Sequence, residues 1–329
     1  MKITVIGEGA WGSAISTLLA DNGHDVLLWC YHENIANDIN SIHQNRRYMP
    51  GLALSEKIKA TSSIKDAVEF SDYIFEAIPV EYLRSVLDSA KKFIKKDQKW
   101  ISLSKGIEAD TLLLPTQIFK DVFGNMTINS AVLGPSFAQE LIKKELTAVN
   151  VSSTNLDSAK KISEILNSDY FRACIVDDLV GIEIAAALKN IITLGIGLLE
   201  GANKGDNTRA MLVTIGMHEI SKLAIKMGAK VETIYGLSGL GDLVLTTTGK
   251  YSKNLEIGRR LGAGQKLEKI MHETGYIPES INSVKAIFKL SKKYDVSLPL
   301  CLNIFNVLNG SRTIQDILPL LFNCLIAVQ

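Results

Sequence analysis

Cysteine is scarce: Cys30, Cys174, Cys301 and Cys324 are the only four in 329 residues, widely spaced and with no Cys-x-x-Cys pair. That excludes a disulfide scaffold or a zinc ribbon. Because Cys30 and Cys174 lie inside apolar, strand-like runs, buried thiols in a reducing compartment are expected. The five histidines, His24, His32, His43, His218 and His272, lack metal-ligand spacing, so no metal is expected. An excess of one charge is also missing. A net charge of +1 gives no electrostatic ground for nucleic acid as a partner, and the basic run at 91–96 reads as a solvated helix face. The apolar tail from Ile317 to Val328 is too short to cross a bilayer, and no membrane span is expected. The chain opens directly on a strand, so no signal peptide is expected and a cytoplasmic location follows.

What is present is ample apolar material. Hydrophobic residues make up 47% and charged ones 22%, which suits a globular chain with two sizeable domains. Lys2–Ile6 forms an apolar strand, followed by Gly7-Glu8-Gly9-Ala10-Trp11-Gly12, a helix over Ser13–Asp21, a turn at Asn22-Gly23 and a second strand, Asp25–Cys30. A G-x-G-x-x-G string inside a βαβ unit marks a dinucleotide site. Gly7 permits the tight turn, Gly9 the approach of a pyrophosphate, and Gly12 close helix–strand packing, while the helix N-terminus faces the phosphate charge. The residues after the second strand are those that distinguish NAD from NADP. Here they read Tyr31, His32 and Glu33, with His32 suited to a phosphate and Glu33 to a ribose, so NAD or NADP remains open.

Helical segments near 63–70, 80–95, 110–123, from Pro135 onward and 156–167 alternate with strands near 73–78, 99–104, 128–133, 147–152 and 171–176. This alternation predicts an α/β fold with a parallel, doubly wound Rossmann-type sheet over residues 1–178. Two strand ends carry polar candidates. Lys105 follows one within Ser104-Lys105-Gly106. Gly134 and Ser136 follow another, with Pro135 suited to a first helical position beside an anion.

After residue 178 strand patterns cease, which predicts an all-helical domain over 179–329, with helices near 207–227, 254–262, 278–293, 300–308 and 313–327. Its first helix, Val180–Leu199, is apolar on nearly every face yet carries Lys189 and Asn190 in its middle. A buried ammonium is costly unless it is paired or has a task. Asp242, among apolar neighbours in the glycine-rich loop from Gly236 to Asn254, is the proposed partner. Ser252-Lys253-Asn254 opens the next helix, a place suited to a phosphate, with Arg209 a possible helper.

Taken together, Gly7–Gly12, Ser104–Glu108, Gly134–Ala138, Ala187–Ile191, Asn207–Arg209, Gly239–Leu243 and Ser252-x-Asn254 occur in an order that resembles the bacterial NAD(P)-dependent glycerol-3-phosphate dehydrogenases, from residue 7 to about residue 285. The resemblance implies a helical domain of the 6-phosphogluconate dehydrogenase C-terminal-like kind and reversible reduction of dihydroxyacetone phosphate to sn-glycerol 3-phosphate, the phospholipid precursor. It implies Lys189, Lys105, Asp242 and Asn190 as catalytic, and Lys105, Gly134, Ser136, Asp242, Ser252, Lys253 and Asn254 as substrate contacts. Gly7, Gly9, Ala10, Trp11, Gly12, Tyr31, His32, Lys105, Ala138, Lys253, Ile277 and Glu279 are its cofactor positions, and a homodimer is the implied assembly. Lys253 replaces the family's usual arginine, Ile277–Ser280 replaces its Val-Glu-Gly segment, and Glu8 is an unusual residue between the first two glycines. Two rival readings are a dehydrogenase of another small hydroxy compound, such as a β-hydroxy acid, and a dinucleotide sensor without turnover.

Overall fold

The structure, a computed structural model, describes residues 1–274 and 279–326. The first half alternates strands and helices: β1 (Lys2–Ile6), α1 (Ala10–Asp21), β2 (Asp25–Trp29), α2 (Glu33–Ile42), β3 (Ile58–Thr61), α3 (Ile64–Phe70), β4 (Tyr73–Glu76), α4 (Val80–Ala90) and β5 (Gln98–Ser102). It continues with α5 (Pro115–Phe123), β6 (Thr127–Leu133), α6 (Ala138–Ile142), β7 (Thr147–Ser153), α7 (Leu156–Leu166) and β8 (Phe171–Ile175). The strands form one sheet in the order β3-β2-β1-β4-β5-β6-β7-β8. The order reverses direction between β1 and β4, so a Rossmann-type crevice opens beyond the carboxyl ends of those two strands. Ile3, Val5, Leu28, Phe75 and Ile101 are fully buried on the sheet, against Ile15 and Leu19 of α1 and Ile162 of α7.

The second half is helical: α8 (Leu179–Gly201), α9 (Asp206–Lys226), α10 (Val231–Ile234), α11 (Asp242–Thr248), α12 (Lys253–Gly262), α13 (Leu267–Thr274), α14 (Glu279–Lys293), α15 (Pro299–Leu308) and α16 (Ile314–Ile326). A single π-helical turn, Leu237–Gly241, runs into α11. Helix α8 is long and apolar enough to cross a membrane, but 89% of its apolar window is buried within the protein, as the central helix of a helical core. Its Leu188, Ile191 and Leu198 pack with Leu212 and Ile215 of α9, Leu255 of α12 and Ile304 of α15.

The contacts divide the chain into two compact units: residues 1–105 with 115–179, and residues 106–114 with 180–329. Gly106–Leu114, expected in part to begin a helix near residue 110, belongs to the helical unit, where Ile107 and Leu114 are buried. Helix α5 starts only at Pro115, a residue suited to a first helical turn.

Several expectations need correction. β7 runs antiparallel to β6, so the sheet is not parallel throughout. Pro135 is not a first helical position, since α6 begins at Ala138 after an extended Phe137. Cys174 is exposed, because β8 is an edge strand with one face in solvent, whereas Cys30, Cys301 and Cys324 are buried. The stretch after Gly236 is not a loop but the π turn and α11.

Candidate active site

The glycine turn between β1 and α1 is built in the first unit. Gly7 takes φ +126°, and a Cβ there would stand 2.5 Å from the Ala77 carbonyl oxygen. A Cβ on Gly12 would stand 1.9 Å from the Gly7 carbonyl oxygen, so strand, turn and helix close as tightly as glycine allows. Open space lies where a Cβ on Gly9 would project. Gly9 caps α1 without a side chain, no acid stands in the first turn, and the first helical bond runs from the Ser13 amide to the Gly9 carbonyl at 3.0 Å. The amides of residues 10–12 therefore precede the helical ladder and face outward with the positive end of the helix dipole. This cradle fits a dinucleotide pyrophosphate. Ala10 and Trp11 line its helical side, half-buried, and Tyr31 and His32 follow β2, with Tyr31 74% exposed.

In the same unit, the Lys105 ammonium donates to the Gly134 carbonyl at 3.1 Å, and the Ser136 hydroxyl donates to that carbonyl at 3.2 Å. Ala138 lies just beyond, at the start of α6. The lysine loop is anchored by a residue that sequence reading missed. Glu76 ends β4 fully buried, and its carboxylate accepts the Ile78 amide at 2.5 Å and the hydroxyls of Ser102 at 3.1 Å and Ser104 at 2.7 Å. Ser102 and Ser104 are remote in sequence, so a lone glutamate at a strand end gave no pattern to read.

The helical unit holds a second cluster. Lys189 donates to Asp242 at 3.0 Å, with their side chains 4% and 1% exposed. One turn on, the Thr193 hydroxyl donates to the Lys189 carbonyl at 2.9 Å and lies 3.1 Å from the Thr246 hydroxyl, which itself donates to the Asp242 carbonyl at 2.7 Å. Thr193 and Thr246 thus link the two backbone segments that carry the ion pair, and neither was anticipated. Asn254 donates from its side-chain Nδ2 to the Asn190 side-chain Oδ1 at 3.1 Å, bringing the start of α12 to the middle of α8. Ser252 is the N-cap of α12, its hydroxyl accepting the Leu255 amide at 3.4 Å, and Lys253 is exposed in the first turn.

The close fit of α8 and α12 is made by glycine. A Cβ on Gly258 would lie 2.4 Å from the Leu194 carbonyl and 2.8 Å from the Gly197 Cα. A Cβ on Gly262 would lie 2.1 Å from the Leu198 carbonyl. Only glycine permits backbones this near. Lys189, Asn190, Asp242, Ser252 and Asn254 are thus gathered by α8, α11 and α12.

Comparison with known proteins decides the family. Residues 2–159 match the model of the NAD-dependent glycerol-3-phosphate dehydrogenase N-terminus, and residues 178–319 match that of its C-terminus. The glycerol-3-phosphate dehydrogenase [NAD(P)+] of Bacillus pumilus is 38% identical over 317 residues, covering 96% of this chain and 92% of that protein. Its namesake from Bacillus subtilis is 38% identical over 321 residues, covering 94% of this chain and 91% of its own. The chain belongs to the NAD-dependent glycerol-3-phosphate dehydrogenase family. Among solved structures, the glycerol-3-phosphate dehydrogenase of Coxiella burnetii superposes with a TM-score of 0.93 at 29% identity, covering 98% of both chains.

Against that family, the positions taken from the resemblance fall into clear groups. Gly7, Gly9, Ala10, Trp11 and Gly12 form one turn. Lys105, Gly134 and Ser136 form a second group, and Lys189, Asn190, Asp242, Ser252 and Asn254 a third. Arg209 does not reach outward as a phosphate helper would. Its guanidinium is held by Glu200 at 2.5 Å and by Asp206 at 3.3 Å, and Glu200 also accepts from Arg259 at 2.7 Å, so Arg209 fastens α8, α9 and α12 together. Ile277 lies outside the described residues, as do the side-chain surroundings of Glu279.

Proposed function

We infer that this chain interconverts dihydroxyacetone phosphate and sn-glycerol 3-phosphate with NAD(P)H; its relatives are named glycerol-3-phosphate dehydrogenase [NAD(P)+]. The observation that carries the reading is the buried Lys189–Asp242 pair in the middle of an apolar helix. When bound, the nicotinamide supplies the hydride for the carbonyl carbon. Negative charge then develops on the carbonyl oxygen, and Lys189 donates the proton that neutralises it; in the reverse direction neutral Lys189 takes the proton back. Asp242 holds the ammonium in place, and Thr193 and Thr246 fix the two backbones that carry the pair. Asn190 orients the substrate hydroxyl.

The start of α12 binds the phosphate. Ser252 keeps its O–H proton for a phosphate oxygen while its lone pair caps the helix, and Lys253, Asn254 and the first amides add donors and positive charge. Lys105, with Gly134 and Ser136, contacts the substrate and polarises the reacting oxygen. Tyr31, His32, Ala138, Ile277 and Glu279 complete the cofactor contacts. The same reading takes residues 1–178 and 179–329 as the cofactor and substrate domains, a homodimer as the assembly, and supply of the phospholipid precursor in the cytoplasm as the role.

The test is replacement of the proton donor. Lys189→Met lowers kcat by roughly 10²–10⁴-fold, the range of a lost general acid, while the dissociation constant for NADPH stays within about twofold. Removing one partner of a buried pair costs about 3–5 kcal/mol, so the charge-free Lys189→Met/Asp242→Asn protein is measured beside it. A folded variant with turnover near the wild-type value overturns the assignment.

A further inference from the structure

The unusual glutamate of the phosphate turn has a defined partner set. Glu8 is buried, and both its oxygens are committed to His32: Oε2 accepts the His32 amide at 3.0 Å and Oε1 the ring Nδ1–H at 2.5 Å. A ring that carries its proton on Nδ1 presents Nε2 as an acceptor, and Nε2 takes an N–H from Arg47 Nη1 at 3.2 Å. A second tie places the same arginine. Asn45, fully buried, donates to the Glu8 carbonyl at 2.6 Å and to the Ser13 hydroxyl at 2.8 Å, and accepts the Tyr48 amide at 3.1 Å. The turn that bears Arg47 is thereby fastened to the turn that bears Gly7 and Gly9. An exposed arginine, its guanidinium 5.3 Å from the centre of the Tyr48 ring, is thus held beside the end of β2. That strand end is where NAD-selective domains present a carboxylate to the ribose hydroxyls. Glu8 has no such role, since its oxygens hold His32.

We propose that Glu8, His32 and Arg47 form a specificity device that reads the 2′-phosphate of an adenosine ribose, making NADPH the preferred dinucleotide. The proposal rests on the reading of the first unit as a dinucleotide domain. Arg47 is the residue that touches the phosphate, offering planar paired donors suited to it. Glu8 is a positioning residue, acting through the imidazole. Glu33, exposed at the first position of α2, has no tie to this network among the described residues and is the acid that could take a ribose hydroxyl instead.

The experiment is a fluorescence titration of the full chain with NADPH and with NADH at one fixed salt concentration, which needs no substrate and no turnover. The wild type binds NADPH roughly tenfold or more tightly than NADH, the value of one charge-assisted contact. In Arg47→Gln that ratio falls towards one. Glu8→Gln is isosteric but sets an amide N–H against Nδ1, which moves the ring proton to Nε2 and expels Arg47; the ratio falls several-fold. A packing role alone would leave the ratio of the isosteric variant unchanged, and that result overturns the part given to Glu8. A wild type that favours NADH, or an Arg47→Gln protein that weakens both dinucleotides equally, overturns the proposal while leaving the dinucleotide reading intact. Binding of neither dinucleotide overturns both.

Discussion

Lys189 was legible because a lone ammonium in a long apolar run is energetically conspicuous, and Asp242 because a carboxylate among apolar neighbours needs a cation. Thr246, Glu76 and the bonding of Glu8 were not, since their meaning lies in partners tens of residues away. Glu219 of α9 belongs to this hidden class. It caps α15 by accepting the amides of Leu300 at 2.5 Å and Cys301 at 3.0 Å, and burial pushes its carboxyl from the ordinary 4.5 to about 7, against those hydrogen bonds. A carboxyl whose pKa is raised in the folded state favours folding below its unfolded pKa, and the benefit is lost as pH rises through the folded value. Between pH 4.5 and 7 this group should therefore remove stability on the order of 2–3 kcal/mol. Glu219→Gln cannot titrate, so urea unfolding measured across that window should show its stability gaining on the wild type as pH rises. Parallel pH profiles would show that the carboxyl titrates as it does in the unfolded chain. Burial of the neighbouring Cys301 and Cys324 likewise raises both thiols, Cys324 to about 11.

At the scale of elements, strands with continuous apolar runs and helices with clear periodicity were readable close to their observed bounds. Helices α2, α10 and α13 were not expected from the sequence, and three further elements resisted, each for a physical reason. β3 is four residues long, Ile58–Thr61, with one buried residue, so it has little pattern to show. Helix α11 contains Thr246, Thr247 and Thr248, β-branched residues that suggest a loop or strand after so much glycine. Their hydroxyls instead bond to the carbonyls of Asp242, Leu243 and Val244 four residues back, at 2.7–2.8 Å. The direction of β7 is set by where its chain enters the sheet, which local sequence does not encode. The α8–α12 contact carries the prediction at this scale. In Gly258→Ala the new methyl group meets backbone rather than a yielding side chain, so the helices must part. Thermal melting should register a loss of about 1–3 kcal/mol. Because Asn254 then draws away from Asn190, KM for the phosphorylated substrate should rise while NADPH binding holds. An unchanged KM in a destabilised protein would show that the glycines serve stability alone.

At the scale of the molecule, each unit has its own core, and each holds one of the clusters on which the proposed chemistry rests: the glycine turn around Gly7–Gly12 and the buried Lys189–Asp242 pair. The sheet-then-helices order was visible in the chain, and so was the change of pattern near residue 178. The transfer of Gly106–Leu114 to the helical unit was not, because burial of Ile107 and Leu114 depends on packing rather than on local period. The central claim is that these parts together reduce a phosphorylated ketone. The most direct measurement is the loss of reduced-nicotinamide absorbance on mixing the purified chain with dihydroxyacetone phosphate, run with NADPH and with NADH beside unphosphorylated dihydroxyacetone. The expected result is rapid loss with the phosphorylated substrate, faster with NADPH at low dinucleotide concentration, and little with the unphosphorylated one. Equal rates with both ketones, or no loss with either while the dinucleotides bind, would contradict it.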